Sequence, residues 1–193
     1  LRLSSATGSK KLPNKENKMS RMFVGLLMIM VFAASSYSAD LVSMKLCPAT
    51  YYDAISRDCV VGKGIEGKSV QVDPKVGSLL FLTAVKTSKD EAIYHVWISG
   101  KTVGAVTVYD TATKTLRDAD ESEMAWLKER NIEGARAIVR MTASASPKFR
   151  VRSSKTLPVR PGVWKVQVYD EAQIQPLGEM EFTMTPDNKG VTD

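Results

Sequence analysis

One histidine and two cysteines are all the imidazole and thiol that 193 residues supply. A zinc centre built from several His and Cys ligands is thereby excluded, and so is a mini-protein scaffold stapled by many disulfides. No Gly-x-Ser-x-Gly elbow, Cys-x-x-Cys pair or internal repeat occurs. The uncharged run Phe23–Ala34 is twelve residues long. As a helix it would span only about 18 Å, short of a ~30 Å hydrocarbon core. What is present is ordinary globular composition, 44% apolar and 25% charged. That is enough apolar surface for a core, and the length fits one domain, or one domain plus a tail.

A formal charge of +6 and a pI near 9.3 would point to nucleic acid if the charge were spread evenly. It is not. Residues 1–38 hold six basic residues against one acidic, and the remainder holds 21 against 20. The basicity belongs to the leader, so no nucleic-acid partner is expected. Lys18 and Arg21 precede the apolar run, and Ala33, Ala34, Ser35 and Ser36 follow it. This is the order of a secretory signal, with translation expected to start at Met19 and cleavage after Ser38. An uncleaved anchor is the alternative. The mature protein is then expected in the periplasm, at the cell surface or outside the cell, with no stable transmembrane span. Cys47 and Cys59, with eleven residues between them, should form a disulfide in that oxidising setting. Closing such a loop contributes about 3 kcal/mol by the chain-entropy estimate.

Residues 39–68 read as an N-terminal segment carrying the cysteine loop, residues 69–185 as the folded domain, and 186–193 as a loose tail. Ser78–Lys86 is apolar on both parities, which predicts a strand buried on both faces. Glu91–Ser99 and Val103–Tyr109 flank Gly100-Lys101 and predict a hairpin. Asp118–Asn131 breaks the pattern and predicts one amphipathic helix with acidic residues at its start. Strands resume at Arg136–Thr142, Lys148–Ser153, Val163–Tyr169 and Glu179–Thr183. In the last pair Lys165 should face Glu181 and Gln167 face Glu179, which sends Trp164 and Phe182 inward. The fold class expected is all-β: a mainly antiparallel sandwich, immunoglobulin-like or an open barrel, with one short inserted α-helix.

Three stretches carry a resemblance: GSLLFLTAV (77–85), IYHVWISGKTVGAVTV (93–108) and FRVRSSKTLPVRPGVWKVQVYD (149–170). They hold a His–x–Trp step at His95 and Trp97, then Arg152 before Ser153 and Ser154, then Gly162, Trp164, Val166, Val168 and Asp170. In these features the chain resembles a bacterial envelope family, domain-of-unknown-function family 2914, over residues 69–184. It departs from that pattern in the long link between Val108 and Phe149 and in lacking a glycine after Asp170. The resemblance implies an exported all-β domain with no established activity, and it supplies no catalytic residues.

Each candidate site has a plain structural alternative. His95 would have to serve any Ser–His or Cys–His arrangement, yet it shares strand parity with Ile93 and Trp97. Asp118, Asp120, Glu121 and Glu123 could be read as paired carboxylates, but the helix dipole explains acidic residues at a helix start. Of the three tryptophans, Trp164 is expected in the core and Trp126 at the helix edge; Trp97 is the candidate platform for a glycan, with partial burial as its plain alternative. Lys148, Arg150 and Arg152 share one strand face, with Lys155 and Arg160 following. They could hold an anionic partner, or could pair with Glu179 or Glu181 on a neighbouring strand. The ligand-binding candidates are therefore Trp97, His95, Lys148, Arg150 and Arg152. No catalytic residue, metal site or cofactor is assigned. The expected function is non-enzymatic binding of an envelope protein or glycan. The alternatives are a carboxylate-dependent hydrolase of envelope polysaccharide and a structural subunit of a surface assembly.

Overall fold

The computed structural model describes residues 39–67, 69–72, 78–100, 105–155 and 161–184. The leader, with its signal or anchor reading, and the tail 186–193 lie outside them. Strands β1 (Asp40–Pro48), β5 (Leu79–Thr87) and β10 (Ser146–Lys155) form a three-stranded antiparallel sheet in the order β1-β5-β10. The facing sheet has seven strands. They are β4 (Ser69–Val72), β6 (Glu91–Ser99), β7 (Thr107–Asp110), β8 (Thr115–Asp118), β9 (Ala135–Ala143), β11 (Gly162–Tyr169) and β12 (Gly178–Met184), in the order β4-β12-β11-β6-β9-β7-β8. Pairing is antiparallel except for β4 with β12 and β7 with β9. The architecture is a two-sheet β-sandwich and not a closed barrel.

The core lies between the sheets, where alternate residues meet: Phe81 and Val85 from β5, Ile93 and Trp97 from β6, Val166 from β11 and Phe182 from β12, all at most 1% exposed. Helix α1 (Glu121–Glu129) forms a third layer on the outer face of the larger sheet. There Leu127 joins Val96, Val108, Ile138 and Tyr169 in a second apolar cluster. Asp120 caps the helix by accepting from the Glu123 N–H, while the Glu123 carboxylate accepts from the Asp120 N–H. That reciprocal pair satisfies two free donors of the first turn, which is what the acidic start is for.

The Cys47–Cys59 disulfide is present, with 5.7 Å between the Cα atoms. It ties down the small hairpin of β2 (Tyr52–Asp53) and β3 (Asp58–Cys59). Cys47, Cys59 and Tyr52 pack on Leu80 and Leu82, the outward residues of β5. This cover is why β5 is apolar on both parities. The expected β11–β12 register is observed, with Lys165 opposite Glu181 and Gln167 opposite Glu179. Trp164 and Phe182 stack inside it at 6.5 Å.

Two expectations fail. Glu91–Ser99 does not form a hairpin with the segment after Gly100, because both edges of β6 are taken by β9 and β11. β7 lies instead on the far side of β9, parallel to it. Residues 39–68 are also no separate segment, since β1 pairs with β5 from Asp40 to Pro48. No helix among the described residues is long and apolar enough to cross a membrane.

Candidate functional site

His95 and Trp97 point into the sandwich from β6. Their exposures are 0% and 1%, so Trp97 has no solvent face on which a glycan could stack, and the plain alternative of burial holds for this candidate. The His95 ring bridges two hydroxyls: Thr83 Oγ1 lies 2.9 Å from Nε2 and Ser153 Oγ lies 2.8 Å from Nδ1. The Trp97 indole donates to the same Ser153 oxygen at 3.0 Å. Phe81 packs edge-on against the His95 ring. Burial pushes the His95 pKa down from an ordinary 6.5 to about 3, which keeps the ring neutral. A neutral ring donates from one nitrogen and accepts at the other, so both hydroxyls are served. The motif residues His95, Trp97 and Ser153 are thus a polar clasp between the two sheets. Thr83, its fourth member, gave no sequence signal because it sits in the otherwise apolar run of β5.

The basic residues of β10 are on the outside. Lys148 is exposed, and Arg150 forms an ion pair with Asp58 at 3.3 Å. Arg152 lies over the Tyr52 ring at 4.3 Å, and Arg57, in the turn between β2 and β3, lies over Phe149 at 5.2 Å. The acidic neighbour is therefore Asp58 on the disulfide hairpin and not Glu179 or Glu181; Glu179 pairs with Lys165. Partial burial raises the Asp58 pKa, but Lys45 at 2.8 Å, the Cys59 N–H and Arg150 outweigh it and hold the carboxyl below its usual range. Arg57 and Arg152 have no carboxylate within ion-pair distance among the described residues. Arg160 lies outside those residues.

Beside β10 runs a trough of about 780 Å³. Its floor is the inner face of β9, β7 and β8, including Val139, Met141, Tyr109 and Leu116, and its wall is Val151, Arg152 and Ser153 of β10. Arg57, Arg136 and Arg152 line it, and none of its lining residues is acidic. Tyr109 and Leu116 are 36% and 70% exposed, so the floor is open to water at the β7–β8 end. The sequence reading missed this site because the floor depends on the parallel β7–β9 pairing, for which no local signal exists.

A second cleft, about 430 Å³, opens between α1 and the outer face of the larger sheet. Asp110, Glu123, Arg117, Arg140, Tyr94 and Trp126 line it. Its two carboxylates are each held by an arginine: Arg140 donates to Asp110 at 2.7 Å, and Arg117 donates to both Glu123 oxygens at 2.6 and 2.7 Å. Arg140 and the Thr113 and Ala112 N–H groups hold the Asp110 carboxyl below its usual range. A general acid needs the opposite shift. Trp126 is fixed at the rim, edge-on to Tyr169 at 5.0 Å and donating to the Gln173 carbonyl at 3.2 Å.

No curated protein matches the chain. Among solved structures it is similar to the alkylpurine DNA glycosylase AlkC of Pseudomonas fluorescens, with 9% identity, TM-score 0.36, and 77% of this chain and 30% of that one covered. It is similar to an immunoglobulin-like protein of Pseudomonas aeruginosa, with 12% identity, TM-score 0.36, and coverage of 76% and 95%. A β-glucosidase of Listeria innocua aligns at 12% identity and TM-score 0.34, covering 78% of this chain and 16% of that one. The chain thus spans under a third of the glycosylase. Residues 124–184 match a family model described as a protein of unknown function, DUF2914. The match runs from within α1 to the end of β12 and takes in Ser153, Trp164 and Phe182; over that segment, about a third of the chain, the protein is similar to the family named above.

Proposed function

We propose that the protein is an exported, non-enzymatic binding module that holds an anionic protein or glycan of the cell envelope in the trough beside β10. The observation that carries this reading is an open trough of mixed apolar and hydroxyl lining that Arg57 and Arg152 border with no acidic residue among its lining; its third arginine, Arg136, donates to the Ser99 carbonyl. Guanidinium groups stacked on aromatic rings are rigid, and they keep their N–H edges for oxyanions. Export is supported by the signal-like leader and by the Cys47–Cys59 bridge, since such bridges persist in oxidising compartments. The hydrolase alternative finds little support, because Asp110 and Glu123 are both locked to arginines. The surface-assembly alternative draws on Ile55 and Val61, which are 96% and 97% exposed on the disulfide segment.

The test is chromatography of the mature chain on immobilised envelope polysaccharide and on immobilised envelope protein. The wild type should be retained at low salt and released as salt rises. The double variant R57Q/R152Q should elute earlier on the matrix that carries the partner class. Equal elution of both forms on both matrices overturns the proposal.

A further inference from the structure

β10 is the last strand of its sheet, paired with β5 on one side. Among the described residues no strand pairs with its other side. The facing sheet continues past β9 to β7 and β8. The smaller sheet therefore stops short, and the trough lies where its next strand would be. Three consecutive β10 residues, Val151, Arg152 and Ser153, line the trough. Side chains alternate along a strand, so three in succession can meet one space only along the strand's edge. That edge offers a row of backbone N–H and C=O groups.

The geometry points to an extended peptide segment, alternating apolar and acidic residues, that adds to this edge as a fourth strand of the smaller sheet. This rests on the reading of the trough as the binding face. Val151 and Ser153 are buried while Arg152 is exposed, so an added strand would alternate in the same way. Its inward residues would cover Tyr109 and Leu116, the exposed part of the floor. Its outward residues would lie beside Arg152 and Lys148, which selects Asp or Glu. A second copy of this chain is disfavoured as occupant, because antiparallel β10–β10 pairing sets basic residues against basic residues. A glycan could meet the arginines but would leave the backbone ladder unused. Strand addition of this kind draws affinity from main-chain hydrogen bonds and selectivity from alternate side chains.

The experiment uses the mature full chain and a nine-residue synthetic peptide of alternating valine and glutamate. The comparison probes are its lysine counterpart, a scrambled isomer, and two forms N-methylated on one or the other backbone edge. We expect the glutamate peptide to bind at least tenfold more tightly than the lysine and scrambled forms. Methylation of one edge should weaken it at least tenfold, and methylation of the other should not. The β10 amides should gain hydrogen-exchange protection on binding. Leu116→Lys, at an exposed position, should weaken binding without unfolding the protein. Binding indifferent to both methylations, or without β10 protection, overturns strand addition while leaving an anion site. A heparin oligosaccharide that binds more tightly than the peptide and displaces it also overturns it, in favour of a glycan. If no anionic probe distinguishes wild type from R57Q/R152Q, the functional reading itself fails.

Discussion

His95 is fully buried, and each ring nitrogen meets a hydroxyl, so protonation in place would strand a charge in the core. The consequence is a defined pH dependence. The folded pKa lies near 3 and the unfolded value near 6.5, so between these limits only the unfolded chain takes up a proton. Stability is therefore full above about pH 6.5 and falls as the pH drops toward 3. From pH 7 to 5 the loss should be about 2 kcal/mol. This is the only histidine in the sequence, and the lowered carboxylates Asp58 and Asp110 begin to titrate only below that window. Urea unfolding at pH 7 and pH 5 should show the drop in wild type and lose it in His95→Gln, whatever that variant's absolute stability. A flat wild-type profile would mean that His95 is hydrated. Gly134 makes a second test at this scale. At φ +77° its missing Cβ would lie 1.7 Å from the Gly100 carbonyl oxygen, whereas Gly62, at φ +75°, has nothing within 4 Å. Gly134→Ala should cost clearly more than Gly62→Ala, about 1–3 kcal/mol for the backbone conformation with the clash added. Denaturation midpoints that fall equally would refute the close approach.

At the scale of elements, the β11–β12 hairpin and the disulfide hairpin behave differently. Trp164 is 4% exposed and stacks on Phe182 within the hairpin. Trp164→Ala should lose about 3–5 kcal/mol, and a near-zero loss in chemical denaturation would mark it as a surface residue. Replacing Cys47 and Cys59 together by serine should cost about 2–4 kcal/mol and loosen the cover over Leu80 and Leu82. It should also free Arg150 from Asp58, and limited proteolysis should then cut within the segment between the two positions. The contrast between these two hairpins shows what was legible. The β11–β12 register was readable because Lys165, Gln167, Glu179 and Glu181 must all face outward, and a one-residue slip would bury charge. β6 misled because the Gly100 turn signal is local, whereas its partners β9 and β11 lie far along the chain and take both edges. β1 was unreadable for a related reason: it holds Cys47, a register shift near Leu41–Ser43 and exposed residues over its first half, so its alternation is broken. Among site residues, the parity shared by Ile93, His95 and Trp97 foretold burial of all three, and reading Trp97 as a glycan platform set that signal aside. The basic face of β10 was visible as a spacing of two. Its partners Tyr52 and Asp58 were not, since they come from a hairpin folded over from the N-terminal side.

For the whole molecule, the near balance of charge after residue 38 matters more than the formal +6. Two folded copies have almost no long-range repulsion to hold them apart, and each carries at β10 a strand edge that no other strand pairs with among the described residues. Open edges invite edge-to-edge pairing unless something blocks it. The local charges on β10 supply the block. In an antiparallel β10–β10 pair centred on Arg150, Lys148 of each copy would face Arg152 of the other. Like charges directly opposite are destabilising, and here the same contact would occur twice by symmetry. Arg150 is partly neutralised by Asp58, so the repulsion rests mainly on Lys148 and Arg152. The double variant K148T/R152T removes both while keeping strand-forming side chains and leaving the Arg150–Asp58 pair in place. It should shift toward a dimer as concentration rises in sedimentation velocity, whereas wild type should sediment at one rate across the same range. The variant should also bind acidic peptide less tightly than wild type, because the charges that exclude a second copy are the ones that select the partner. Sedimentation that is unchanged by the substitutions would show that the edge is guarded by something other than its charge.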